Sequence, residues 1–431
     1  MSLTEHPHPA SCPVSRSGFS RRSFLTRLGL VSATAAVGMT AACSDTGSGD
    51  TAGDATGDAA DPVVAFDGVH QAGIETPVQA NNSTVAFTLR DGVDATGIQR
   101  LLRIWTGDAR RLCAGETALA DLEPELSADP ARLTITCGFG RGLFRAAGID
   151  DRAPDWLEPL PAFTGDQLDA RWGDRDLVLQ ICGDDRTTVS HALRVLVRGG
   201  ADYARPSWTQ EGFLDVPVGE DGTPGTSRNL FGFKDGTVNP RTDAEFAEQV
   251  WIGTEATDPA HVDGTCLIIR RVAFDMPLWE AADRPTREVA MGRTIVEGAP
   301  LTGTEEFDEP DLDAIGADGL PVIDQHSHIA LATVHDGDER QRMLRRGYNY
   351  DLPVSASSAD GLVDADLIAL SDTGLIFTCF QPDPRNAFIP VQRRLSEGDR
   401  LNEWITHTGS AVFFVPPGTA DGEYWGQALF A

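Results

Sequence analysis

The chain has 431 residues, 41% of them hydrophobic, enough for one large domain or two fused ones around a substantial core. Asp and Glu number 65 against 35 Lys and Arg, a formal net charge of -30, and Lys234 is the single lysine. So acidic a balance excludes nucleic acid as a partner and argues against an anionic lipid surface, since both need a basic face; solubility or adaptation to salt accounts for it.

Ser20-Arg21-Arg22-Ser23-Phe24-Leu25 precedes an apolar, small-residue run from Leu28 to Ala42, a basic n-region followed by a moderately hydrophobic h-region. The paired arginines look like a twin-arginine export signal, and the run falls short of the roughly 20 apolar residues of a membrane span. Residues 1–42 are therefore expected to be a leader. The mature chain is then periplasmic, on the cell surface or secreted, and a cofactor can be inserted before export. Thr40-Ala41-Ala42-Cys43 resembles a lipobox, with Cys43 as a lipid-anchored residue; the alternative is cleavage near Ala41-Ala42 and release. Residues 43–62, rich in Gly, Ala, Asp, Ser and Thr, read as a flexible linker.

The folded part is expected to begin near Val63. Alternation over 85–90 predicts a strand, and Ile98, Leu101, Leu102 and Trp105 predict a helix over 95–111. Further strands are predicted at 133–138 and 177–182, and a helix at 187–197. The pattern then recurs: a strand at 265–272, a helix over 279–291 despite Pro285, a strand at 374–380 and a helix over 391–401. Strand and helix blocks that appear twice suggest two related α+β halves. None of the seven cysteines forms a CxxC pair, so no zinc or thioredoxin-like site is indicated. Cys137, Cys182, Cys266 and Cys379 sit in apolar runs and read as small buried hydrophobes.

Two stretches carry the chemistry. Gly232-Phe233-Lys234-Asp235-Gly236-Thr237-Val238-Asn239-Pro240 sets one carboxylate between glycines, where the backbone turns sharply and can approach a flat ligand. About a hundred residues later come His326-Ser327-His328-Ile329-Ala330-Leu331-Ala332 and then Met343-Leu344-Arg345-Arg346-Gly347-Tyr348. Together with Gly138-Phe139-Gly140, Arg228-Asn229-Leu230-Phe231, Gly374-Leu375-Ile376-Phe377 and Pro416-Pro417-Gly418, this ordered set resembles the dye-decolorizing peroxidases, in particular their exported deferrochelatase/peroxidase branch. The likeness runs from Phe66 nearly to the last residue.

The resemblance implies an α+β fold of two ferredoxin-like halves with antiparallel sheets, of the dimeric α+β barrel type, at 63–225 and 226–431. It implies haem b in the C-terminal half, with His328 as axial iron ligand; His326, two residues away, is the rival. On a strand both histidines face the same side. Asp235 matches the family's proton-transferring aspartate and Arg345 its distal arginine, with Arg346 the alternative. Gly236, Thr237 and Val238 are expected against the porphyrin, Leu375 and Phe377 in the distal wall, and Arg293 on a propionate. Thr333, Val334 and His335 stand where the family carries Asn-Pro-Arg, and Ala330 where it carries Arg. Trp425, Tyr348 and Tyr350 are candidates for passing electrons inward from bulky donors. The implied reaction uses hydrogen peroxide to oxidise small organic donors. Iron release from haem with the tetrapyrrole intact, and haem carriage alongside iron-uptake partners, are the competing readings. A homo-oligomer is compatible with all three.

Overall fold

The computed structural model describes residues 62–219, 225–334, 337–353 and 371–431. The expected leader, most of the linker, Cys43 and His335 lie outside the described residues. The first half is laid out as β1 (Asn81–Leu89), α1 (Ala95–Cys113), β2 (Thr134–Phe139), α2 (Arg141–Ala146), β3 (Leu177–Gly183), α3 (Arg186–Gly199) and β4 (Ala204–Phe213). The second half holds α4 (Asp243–Gln249), β5 (Thr265–Phe274), α5 (Met276–Ala281), α6 (Arg284–Met291), α7 (His328–Ala332), β6 (Leu344–Arg345), β7 (Tyr348–Pro353), β8 (Ser371–Gln381), α8 (Phe388–Gly398) and β9 (Ile405–Val415).

Within the first half the strands lie side by side as β4-β1-β3-β2, all antiparallel. The second half repeats that order as β9-β5-β8-β7, with β6 prolonging the β7 side of β8. Each half is thus ferredoxin-like, and the expected repeat is real at the level of topology. Two narrow seams join them, Phe139 against Phe414 and Phe213 against Asn349. Because β5 pairs with both β8 and β9, the sheet closes into a barrel, which removes exposed edges.

Side-chain alternation sorts every strand into two faces. Ala86, Val178, Leu267, Tyr348, Tyr350 and Phe413 turn into one apolar cluster on the barrel side. Val85, Phe87, Ile135 and Leu179 turn outward to meet Ile98, Leu101, Leu102 and Trp105 of α1. That helix starts where the Asp94 carboxylate accepts from Gly97 N–H, and α3 starts in the same way at Asp185. Trp425, Tyr348 and Tyr350 are all essentially inaccessible, so they are core residues and not surface relays. Cys113, Cys137, Cys182, Cys266 and Cys379 are buried free thiols. No helix among the described residues is long and apolar enough to cross a membrane.

Three expectations need correction. The helix over 279–291 is two helices, because Asp283 caps a new start at Thr286 N–H and Pro285 occupies its first turn, where a missing N–H costs nothing. The last helix begins at Phe388 and ends at Gly398. His326 and His328 are not on a strand: Ser327 opens the short helix α7, so the two rings leave the chain in different surroundings.

Candidate functional site

A cavity of about 480 Å³ lies in the second half, a size typical of small-molecule pockets. Its sheet wall is the outward face of β5 and β8, with Val272, Phe274, Leu375 and Phe377 in alternation. Its helical wall comes from α7 and α8, with His328, Ile329, Val391 and Leu395. The Asp235 turn, the loop bearing Arg293, and β6 with Arg345 complete the lining.

The site brings together ten of the twelve residues singled out for it: Asp235, Thr237, Val238, Arg293, His328, Thr333, Val334, Arg345, Leu375 and Phe377 all line this cavity. Gly236 is not among the lining residues; it sits at φ 106°, the left-handed backbone that glycine tolerates, directly behind Asp235. His335 lies outside the described residues.

His328 and His326 separate clearly. The Nδ1 of His328 lies 2.6 Å from the Asp399 carboxylate, which is almost wholly buried and also accepts from Leu401 N–H at 2.9 Å. With Asp399 as carboxylate, Nδ1–H donates and Nε2 keeps its lone pair. His326 instead pairs Nδ1 with the Gly398 carbonyl at 3.1 Å and lies outside the cavity lining. Close packing seats α7. Gly292 ends α6 at φ 83°, and a Cβ there would come within 2.7 Å of Ile329, so only glycine lets the Arg293 loop lie against this helix. Ala330 packs with Ile323 and Ile329 in a small apolar cluster.

Arg345 and Arg346 also separate, by alternation along the strand. Arg345 lines the cavity, with its Nη2 3.6 Å from Asp235 Oδ1. Arg346 turns the other way and is buried, donating to the carbonyls of Ile74 and Thr76 and to Gln79 Oε1. Its partners are main-chain oxygens and an amide from the first half, not surface carboxylates. It holds structure and does not face the site.

Two further residues shape the site. Glu306, 9% exposed, accepts from Lys234 Nζ at 2.5 Å, Thr226 Oγ1 at 2.5 Å and Thr237 Oγ1 at 3.1 Å. Burial raises its pKa, but these hydrogen bonds and the Lys234 charge outweigh that and hold it below the usual glutamate range. The lone lysine thus anchors the turn that carries Asp235. Arg293 donates from Nη1 to the carbonyls of Gly298 (2.7 Å) and Glu306 (2.9 Å). Burial, then the Arg345 charge, pushes its pKa down. Neither Asp399 nor Glu306 stood out in the sequence. Each meets its partner about seventy residues away, and the only local hint at Asp399 is an Asp after a helix-ending glycine, a capping signature.

The donor set fits the expected haem. A flat tetrapyrrole needs apolar walls, a neutral nitrogen for its iron and cations for its carboxylates. The cavity offers Leu375, Phe377, Ile329, Val391 and Leu395 for the first, His328 Nε2 for the second, and Arg293 with other basic groups for the third.

Comparison with known proteins agrees. The models of the Dyp-type peroxidase N-terminal and C-terminal regions match residues 71–214 and 226–420. A dye-decolorizing peroxidase of Thermobifida fusca is 37% identical over 349 residues, covering 79% of this chain and 76% of that protein. A deferrochelatase of Escherichia coli is 34% identical over 380 residues, covering 84% and 86%. The crystal structure of a DyP-type peroxidase from Cellulomonas bogoriensis superposes with a TM-score of 0.79 at 44% identity, over 86% of this chain and 99% of that one. With both halves matched in order and the closed two-part barrel shared, the chain belongs to the Dyp-type peroxidase family.

Proposed function

We propose that this protein is a haem b-dependent peroxidase, reducing hydrogen peroxide and oxidising small organic donors, with His328 as axial ligand and Asp235 and Arg345 as its catalytic pair. The observation that carries the reading is the convergence of these three side chains, from α7, a glycine-flanked turn and β6, on one cavity. Haem, when bound, supplies the redox-active iron at which the peroxide O–O bond breaks. His328 holds that iron through Nε2, and Asp399 fixes the tautomer and ring orientation and raises the basicity of the ligand. Asp235 accepts a proton from one peroxide oxygen and returns it to the other, so that water leaves. The fixed charge of Arg345, within 3.6 Å of that carboxylate, stabilises the negative charge that develops during cleavage. Leu375 and Phe377 keep the cavity wall dry. Thr237, Val238, Thr333 and Val334 would border the ring and Arg293 would hold a propionate, with Gly236 letting the turn come close behind Asp235 and His335 kept as a candidate from the family's pattern alone.

Asp235→Ala and Arg345→Ala are each expected to slow the reaction with peroxide by about 100-fold or more while haem stays bound. Stopped-flow absorbance measures this, and an unchanged rate removes the assigned role. Iron release from haem is the second reading, favoured by relatives named deferrochelatase, one of them 34% identical over 94% of this chain. Free protoporphyrin appearing with released iron supports it. A carrier needs only His328 and the cavity, so the Asp235–Arg345 pair speaks against carriage alone. We also propose export by the twin-arginine route after loss of residues 1–42, with Cys43 as a lipid anchor in the 43–62 linker, and halves at 63–225 and 226–431. Homo-oligomerisation and iron-uptake partners belong to the same reading; fractionation of cells and sizing of the purified protein test them.

A further inference from the structure

We propose that Asn239 is the positioning residue that sets the separation of Asp235 from Arg345, an inference that rests on the peroxidase reading above. Asn239 closes the turn that begins at Asp235, its own N–H donating to Gly236 O at 3.1 Å. Its side chain reaches across 106 residues of sequence to β6. Nδ2 donates to Arg345 O at 2.7 Å, and Oδ1 accepts from Arg345 N–H at 3.0 Å. This amide does for Arg345 what a neighbouring strand would do, satisfying both main-chain groups of one residue. The two-residue strand β6 pairs with β8 on its other side, and Arg346 N–H donates to Thr378 O at 2.9 Å, so Asn239 secures the remaining, outward edge at Arg345.

A closed ring results: Asp235, the turn, Asn239, the Arg345 main chain, the Arg345 side chain, and back to Asp235 across 3.6 Å. Which link decides the geometry follows from their strengths. The ion pair is half-exposed and too long for a hydrogen bond, so it contributes little. The two amide hydrogen bonds are short and partly buried, so the clamp sets the spacing and the ion pair follows. Asp235 enters the turn with its own N–H on Ser227 O at 2.9 Å, and Lys234 and Thr237 are tied to Glu306, so the acid is fixed from the other flank. Without Asn239, the Arg345 N–H and carbonyl lose their partners while β8 still holds the strand from the other side, so Arg345 is the residue that shifts.

The test compares Asn239→Ala, Arg345→Ala and the double variant in the haem-loaded full chain. Three quantities are read: the bimolecular rate with peroxide, the Kd for fluoride as an anion that depends on the Arg345 charge, and haem affinity with the resting spectrum. Asn239→Ala is expected to slow peroxide reaction by roughly 10- to 100-fold, the scale of a misplacement near 1 Å, and to weaken fluoride binding, with haem affinity unchanged. In the Arg345→Ala background the same change is expected to add little. Asn239→Asp, which keeps the acceptor for Arg345 N–H but sets a carboxylate against Arg345 O, is expected to act in the same direction. Unchanged fluoride affinity in Asn239→Ala, an equal fold-loss with and without Arg345, or failure of both Asn239 variants to take up haem overturns the proposal. If Arg345→Ala itself leaves the peroxide rate unchanged, the peroxidase assignment fails instead, and the two failures are told apart.

Discussion

Asp399→Asn is the most revealing single change near the proposed ligand. In the native site one carboxylate oxygen accepts from His328 Nδ1 at 2.6 Å while the other accepts from Leu401 N–H at 2.9 Å. An amide has one acceptor oxygen, so it cannot serve both. If the oxygen stays on Leu401, the NH2 group faces Nδ1, which must then accept; the proton moves to Nε2 and the ligating lone pair is lost. If the amide flips, the cap of the Arg400–Glu403 turn is lost, at about 1 kcal/mol, together with about 1–1.5 kcal/mol of charge assistance to His328. The cap cost falls on folding, whereas the lost lone pair or the lost charge assistance falls on the ligand, and haem affinity is expected to drop by roughly 10- to 100-fold. Asp399→Ala leaves Nδ1 without its acceptor but imposes no wrong tautomer, so its loss is expected to be no greater than that of Asp399→Asn. Haem titration followed by Soret absorbance measures both. Native haem affinity in Asp399→Asn refutes the argument that this carboxylate sets the tautomer of His328.

Two pH effects follow from buried groups. The folded pKa of Glu306 is held below its ordinary value near 4.3, so its contribution is complete above that pH and is lost as pH falls through the folded value; thermal unfolding from pH 3 to 7 should show this acid loss shrinking in Glu306→Gln, which also loses the Lys234 ion pair. His407, on the cavity wall, is pushed down to about 3 by burial and then by the Arg270 charge. The unfolded chain binds this proton first, so stability falls as pH drops from about 6.5 toward 3, and His407→Gln should flatten that slope; an unchanged slope contradicts a neutral buried His407.

How far the sequence was legible depended on the range of each interaction. Val85 and Phe87 on one strand face, and Ile98, Leu101 and Trp105 on one helix face, form their contacts within one βα unit, and local periodicity displayed them. The strand β4 also alternates, with Trp208 and Gln210 buried between exposed neighbours, but its polar composition masked it. The kinked pair β6 and β7 has no period to read, since the chain breaks step at Arg346–Gly347. The resemblance preferred Arg345 to Arg346 and His328 to His326, but the physical grounds, strand facing for the one and the Asp399 contact for the other, are not local. Family motifs marked Asp235, His328 and Arg345, whereas Glu306 and Asp399, which hold them, meet their partners only through tertiary folding.

The central claim is that His328 Nε2 binds the haem iron. Resonance Raman spectroscopy of the reduced, haem-loaded protein observes the iron–histidine stretch directly. The account predicts that this band is present in the native protein, shifts in Asp399→Asn and disappears in His328→Ala while surviving in His326→Ala. A band that persists in His328→Ala contradicts it.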